Sequence, residues 1–361
     1  CGGCHSQPAI GGSSPAVNPQ VKFAKDTGNS VPSFLSANGP IREARFIRNA
    51  NGSADGGVHS LFAIPGCTQE NFSAAVANRN VIFRIPTPVF GAGLIEQIPD
   101  STILANINAN GSQKRVLGIG GRVNRVRVGT ITGQPNVNGN DGTVSRFGWK
   151  AQNQSLLLFS GEAYNVEMGI SNELFPSERN QTVCKSATPT PNDVANPGGA
   201  TPLDALNAIE KFAFFMRLLA PPTPSKNTPG GPESIANGRG LFNSTGCALC
   251  HTPTLKTGTS TVPVLSGKDA TLYSDLLVHN MGTGLADGIS QGQAGPQDFR
   301  TAPLWGLGKR IFFLHDGRTS DLLVAIQQHQ SSGSEANAVI QQFTNLSTTQ
   351  KQDLLNFLRS L

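Results

Sequence analysis

Four of the six cysteines stand in two copies of one five-residue pattern, Cys1-Gly-Gly-Cys4-His5 and Cys247-Ala-Leu-Cys250-His251. Two thiols three positions apart can each form a thioether to one vinyl group of the same haem. The imidazole of the next residue then reaches the iron from that side, which makes Cys-x-x-Cys-His a c-type haem attachment signature. A thioredoxin-like thiol pair or half of a zinc site needs the cysteines but not the adjacent histidine, and here the histidine recurs. The spacing predicts two covalently bound haems c. Cys1, Cys4 and His5 would hold the first; Cys247, Cys250 and His251 would hold the second.

The second axial position on each iron decides its task. Two strong ligands make an electron carrier, whereas an open position makes a site for peroxide or oxygen. Beyond the two motifs the candidate nitrogen ligands are His59, His279, His315 and His329, and the candidate sulfur ligands are Met168, Met216 and Met281. His59 is the candidate sixth ligand of the first iron, with a hydrogen-bonded loop histidine as the alternative. Arg84, Arg300 and Arg310 are candidate donors to haem propionates, since a buried carboxylate calls for a paired guanidinium.

Haem c is attached outside the cytoplasm, so the mature chain is expected in the periplasm or the extracellular space. There Cys67 and Cys184 either form a disulfide or remain two buried thiols. A haem-attachment turn normally follows a helix, and none precedes Cys1 here; residues upstream of Cys1 are therefore expected.

The elements that must position these groups are legible in part. Residues 233–242 read as a short helix leading into Cys247. Residues 347–361 open with a Ser347–Gln350 capping-box pattern and put Leu354, Leu355, Leu358 and Leu361 on one face. An earlier helix starts at Thr201-Pro202-Leu203-Asp204, carries Leu206, Ile209, Phe212, Phe215, Met216 and Leu219 at helical spacing, and stops at Pro221-Pro222. The Pro-rich stretch 221–232 is a linker. The expected fold is mainly α: two cytochrome c-like haem domains with long loops, 1–220 and 233–361.

An internal repeat agrees with that division. Phe83-Arg84-Ile85-Pro86-Thr87-Pro88-Val89-Phe90-Gly91-Ala92-Gly93 matches Phe299-Arg300-Thr301-Ala302-Pro303-Leu304-Trp305-Gly306-Leu307-Gly308, with P-x-[FW]-G-x-G as the ungapped core. The first domain also carries an insertion, residues 115–127, whose valines alternate with basic residues. That reads as a small β-hairpin with one charged face, either solvated or a docking patch for an acidic redox partner.

Composition sets the outer limits. Only 14% of the 361 residues are charged, against roughly 25% in an average globular protein. The 41 glycines and 24 prolines call for long, turn-rich connections. No stretch reaches the ~18 apolar residues of a membrane span, and the net charge of +5 is scattered, which argues against nucleic acid as a partner. Collagen-like, coiled-coil, disordered and integral membrane classes are excluded.

Phe313-Leu314-His315-Asp316-Gly317-Arg318, followed by Leu322, Ala325, Ile326 and His329, resembles the closing segment of bacterial dihaem cytochrome c peroxidases and their MauG-like relatives. In that family an F-H-D-G pattern is followed, fourteen residues after its histidine, by the distal ligand of the second haem; fourteen after His315 stands His329. The peroxidases usually have methionine there and MauG-like members tyrosine. The departure to histidine implies a bis-histidine second haem, of lower potential than His/Met ligation gives. The match is closer to the di-haem oxidoreductase subfamily often labelled thiol oxidoreductase, at 83–100, 146–152, 167–176, 275–288 and 299–308, which spans both expected domains. This resemblance implies haems near a shared interface.

Glu167-Met168-Gly169 resembles the family element whose acidic residue lies over the open face of the first iron, which implies Glu167 as general acid–base in peroxide cleavage. The family's partner glutamine, ten residues earlier, is Leu157 here. The family's removable histidine lies much nearer the haem motif than His59. Trp149 falls where relatives have a tryptophan between their haems. His279, Met281 and His315 read as neighbours of the second haem rather than its ligands. Relatives also hold a calcium ion between the domains, so Ca2+ is an open cofactor with no residue assigned to it.

The activity implied takes electrons from a small periplasmic donor, such as a cytochrome c or cupredoxin, at the second haem. They pass to the first haem, where a small-molecule oxidant such as hydrogen peroxide is reduced. Two alternatives stay open: a non-catalytic electron-transfer cytochrome with both irons six-coordinate, and an oxidase or oxygenase of an organic substrate, as in rubber-cleaving dihaem enzymes. A homodimer stays open as well.

Overall fold

The two strongest capping signals give the two closing helices. In the computed structural model Ser347 accepts from the Gln350 backbone while the Gln350 side chain accepts from the Ser347 N–H, opening the helix Thr348–Ser360. Asn207 and Glu210 form the same reciprocal pair at the start of Ala208–Leu218, and each box satisfies two otherwise orphaned backbone donors. The structure describes residues 1–64, 66–127, 141–172, 174–175 and 206–361. The expected helix start at 201–204 therefore lies outside the described residues, as does Cys184; Cys67 is disulfide-bonded.

Twelve α-helices and nine strands of two to five residues occur among the described residues, so the fold is mainly α. The strands form one three-stranded antiparallel sheet, with Glu43–Phe46 between Val58–His59 and Val81–Arg84, and three two-stranded pairs. The insertion differs from its expected form. Residues 115–117 end the helix Gly111–Leu117, which Gly118 terminates in the left-handed region at φ 73°. Only Asn124–Arg127 is a strand, and it pairs with Asp141–Ser145. No helix among the described residues is long and apolar enough to cross a membrane.

The helix Gly231–Ser244 packs along Thr348–Ser360. Gly238 permits the approach, because a Cβ there would strike the Asp353 carbonyl. Phe242, Tyr273 and Phe357 meet edge to face at 5.4–5.9 Å in the core that these helices share. The helices Leu156–Met168, Ala208–Leu218 and Ala92–Glu96 enclose a second core around Ile98, Ile103, Leu156 and Met216.

The sequence repeat has a structural counterpart. Gly91 (φ 62°) and Gly306 (φ 69°) each open a short helical turn. A Cβ on Gly93 would collide with the Arg217 carbonyl, and one on Gly308 with the Arg359 carbonyl, near the ends of the two closing helices. The copies also face each other: Gly91 lies against Trp305 of the second copy, and Gly306 beside Phe90 of the first.

Candidate haem sites

Each Cys-x-x-Cys-His segment closes locally in the same way. The His5 N–H donates to the Cys1 carbonyl, and the His251 N–H to the Cys247 carbonyl, both at 2.9 Å. One turn thus gathers two thiols and an imidazole. Burial pushes the Cys247 thiol up to about 11 and raises Cys4. A reactive thiol has its pKa lowered rather than raised.

Cys247, Cys250 and His251 open on a largely apolar cavity of about 1400 Å³, part of it open to solvent. The His251 Nδ1 donates to the Tyr273 carbonyl at 2.9 Å. His329 faces the same cavity just beyond the C-terminal end of Leu322–Gln327, a helix that Asp321 caps at its start, and its Nδ1 donates to the Ala325 carbonyl at 2.8 Å. A carbonyl on Nδ1 fixes the tautomer and leaves Nε2 bare, as a metal-ligating imidazole requires. Burial pushes His251 down to about 4, with His329 adding to the fall; burial lowers His329 too. Both rings are held neutral.

The same wall carries Arg300 and Arg310. Arg300 donates from Nε to the Gly148 carbonyl at 2.9 Å and from Nη1 to the Thr301 carbonyl at 3.3 Å. Nε and Nη2 of Arg310 are buried with no partner, and burial pushes both guanidiniums down to about 10. A buried guanidinium without an anion is a costly arrangement, and a carboxylate-bearing ligand in this cavity would relieve it. These residues fit a haem with its propionates.

His315, Met281 and His279 also line the cavity. His315 stacks on Phe299 at 4.4 Å and meets Trp149 edge-on at 6.4 Å; burial pushes it down to about 4. His279 lies between Asp275 (2.9 Å) and Glu335 (2.7 Å). Burial opposes its charge, yet the Cys250 sulfur and Asp275 outweigh burial and raise it well above the usual value. Glu335, which also accepts from the Gly120 and Gly121 N–H groups, had no signal in the sequence. Among the described residues Cys250, Asp275 and His279 are the one trio of His, Cys, Asp or Glu ligand atoms within 4.8 Å of one another. A thiol, an imidazole and one carboxylate do not suit calcium, which takes six to eight oxygens.

His5 faces a different cavity, walled by Cys1, Val89, Phe159, Phe212, Phe215 and Met216. Its Nδ1 donates to the carbonyls of Gly12 (3.2 Å) and Thr87 (3.1 Å), so Nε2 points inward. There it meets a carboxylate, Glu167 Oε2 at 3.3 Å. Burial works against charging His5, but Glu167 outweighs it and the net direction is upward. Glu167 stands in the last turn of Leu156–Met168, which Ser155 caps and Gly169 ends at φ 69°. Trp149 lines both the His251 cavity and a narrow cleft that shares Val89 and Phe159 with the His5 cavity; its Nε1 donates to the Ile85 carbonyl at 3.0 Å.

Two expected residues do not join either site. His59 has Nε2 on Asp55 (3.0 Å) and Nδ1 on Glu70 (3.3 Å), and it stacks on Phe46 at 3.7 Å. With both nitrogens on carboxylates and no place in the His5 cavity wall, it is not the sixth ligand of the first iron in this structure. Arg84 is likewise committed, donating at 2.7 Å to Gln291 and to Asp287. It belongs to an ion pair rather than to a propionate.

Residues 66–361 match the family model described as "Di-haem oxidoreductase, putative peroxidase", a span that begins after the first Cys-x-x-Cys-His motif. Among solved structures the chain is similar to the hydrazine synthase of Kuenenia stuttgartiensis, at 15% identity and TM-score 0.31 over 56% of this chain and 61% of that one. It is also similar to a MauG-like protein associated with microbial copper homeostasis, at 18% identity and TM-score 0.30 over 46% and 55%. The chain thus spans less than two thirds of each of these structures. No curated protein matches it. On the family match over most of its length, the chain belongs to the di-haem oxidoreductase family.

Proposed function

We propose that this is a periplasmic or extracellular dihaem c-type oxidoreductase that reduces a small oxidant such as hydrogen peroxide at the His5 site, with electrons received at the His251 site. The observation that carries the reading is the inequality of the two cavities. In one, two neutral imidazoles, His251 and His329, each present a bare Nε2. In the other, a single imidazole, His5, faces an acid, Glu167. A haem held by Cys1, Cys4 and His5 would supply the one-electron chemistry of peroxide reduction, with Glu167 placed to hold a proton beside it.

The chain's own residues then divide the work. Cys1, Cys4, Cys247 and Cys250 tether the groups, in haem domains 1–220 and 233–361. Arg310 and Arg300 pair with propionates, and Trp149 stands between the cavities. Glu167 holds and returns a proton at its carboxylate, and that step contributes about 10²–10⁴-fold in comparable sites. The electron donor is a small periplasmic cytochrome c or cupredoxin. The carrier-only reading required His59 on the first iron, and the carboxylates on both its nitrogens speak against it. An organic substrate is the second reading, favoured by the phenylalanines 159, 212 and 215 in the His5 cavity wall.

Holoprotein from its native host should carry two haems by intact mass, and Cys247→Ser/Cys250→Ser should carry one. Its oxidised spectrum should contain one low-spin and one high-spin iron, the latter binding cyanide. Glu167→Gln should keep the haem count and lose about 10²–10⁴-fold in peroxide turnover with a reduced carrier. His329→Met should raise the midpoint potential of the second haem, by a sizeable part of the ~0.8 V that axial ligands span. Two low-spin irons in both redox states, indifferent to cyanide, would overturn catalysis at the His5 site. Oxygen uptake with an unsaturated hydrocarbon, in place of peroxide turnover, would select the second reading.

A further inference from the structure

Lys150 is one of the largest fully buried side chains in the molecule. Its Nζ donates to the Gly295 and Asp298 carbonyls, both at 2.9 Å, and lies 3.1 Å from Asp287 Oδ1. The Phe299 ring covers a further side, with its centroid at 4.1 Å. An ammonium has three N–H donors, and three oxygens receive them. Burial pushes the group down to about 8 while Asp287 pulls the other way, so it carries its proton at pH 7. All three oxygens come from residues 287–298, beyond the 221–232 linker from Lys150. The second Asp287 oxygen is held by Arg84 at 2.7 Å.

Carbonyl and carboxylate oxygens converging in a buried junction are the donor set that a hard cation selects. Here a side chain of the protein already fills it. We propose that the Lys150 ammonium is a built-in cation joining the parts of the chain before and after the linker, in the role that the family resemblance would give to Ca2+. Among the described residues this oxygen set is occupied by Lys150, and the Cys250–Asp275–His279 trio offers the wrong donors for calcium. The inference is independent of what the haems do.

The test uses the holoprotein. Thermal unfolding of the wild type should occur at the same temperature in EGTA and in added Ca2+, and calorimetric titration with CaCl2 should give no saturable heat. Lys150→Ala should unfold at a lower temperature, and ammonium chloride should restore part of the loss. Tetramethylammonium chloride, which cannot donate hydrogen bonds, should restore none at equal ionic strength. Calcium-dependent unfolding or stoichiometric calcium binding by the wild type overturns the proposal. So does a Lys150→Ala protein that matches the wild type, or one that responds equally to the two salts. If Lys150→Ala does not accumulate as holoprotein, the calcium and chelator arms on the wild type decide alone.

Discussion

His315 shows how burial, outweighing Asp316 and Asp287, gives a residue a consequence for stability. Its imidazole is pushed down to about 4, whereas in an unfolded chain it titrates near 6.5. Between those values the unfolded chain binds a proton that the folded chain refuses. This share of stability is therefore whole above about pH 6.5, falls as the pH drops, and is exhausted near pH 4, a loss of about 3 kcal/mol. Denaturant unfolding of His315→Gln should show a shallower decline between pH 7 and pH 4.5 than the wild type. Equal declines would remove His315 from the account. The two Cys-x-x-Cys-His segments were readable because thioether attachment to a haem would require that spacing. His59 takes the hydrogen-bonded alternative, with Asp55 and Glu70 as near neighbours in the chain, whereas Asp287 and Gln291, the partners of Arg84, lie about two hundred residues away from it.

Among elements, the closing helices and the P-x-[FW]-G-x-G turns carry the fold's repetition. Capping boxes and periodic leucines announce a helix because they are local: Thr348–Ser360 begins where the Ser347–Gln350 pattern put it, while the earlier helix, expected from 201–204 and through Leu206, begins at Ala208 behind the Asn207 cap. The second glycine of each turn has a reason that only packing supplies. Gly308 abuts the Arg359 carbonyl and Gly93 the Arg217 carbonyl; neither can move aside as a flexible side chain would. Gly308→Ala and Gly93→Ala should each cost about 1–3 kcal/mol, the range for overpacking a tight interior, measured by chemical denaturation. Gly169→Ala, at a helix end with open space around it, is the control for backbone strain alone. The insertion at 115–127 is a strand only over Asn124–Arg127; alternation of valine with basic residues imitates a strand in 115–117, where Gly118 ends a helix.

Across the whole molecule, the buried group Arg84–Asp287–Lys150 ties residues before the linker to residues after it. Asp287 is the one anion that both cations share, and they together hold its carboxyl below the usual range against the opposing effect of burial. Asp287→Ala would leave two buried cations facing each other and should cost about 3–5 kcal/mol, as when one partner of a buried pair is removed. Equilibrium unfolding checks it; a loss within about 0.5 kcal/mol, the size of an ordinary surface substitution, would show that the junction is not stabilised there. The sequence by itself determined the two Cys-x-x-Cys-His segments, the Pro-rich stretch and the duplicated turn, because each depends on neighbours within a few residues. The family resemblance pointed to His329 and Glu167, but the tertiary structure decided the contacts: His329 in one cavity with His251, Glu167 against His5, and the oxygens around Lys150. Those contacts close distances of 78, 162 and 137 or more positions along the chain, where burial and charge pairing select partners that no local pattern encodes.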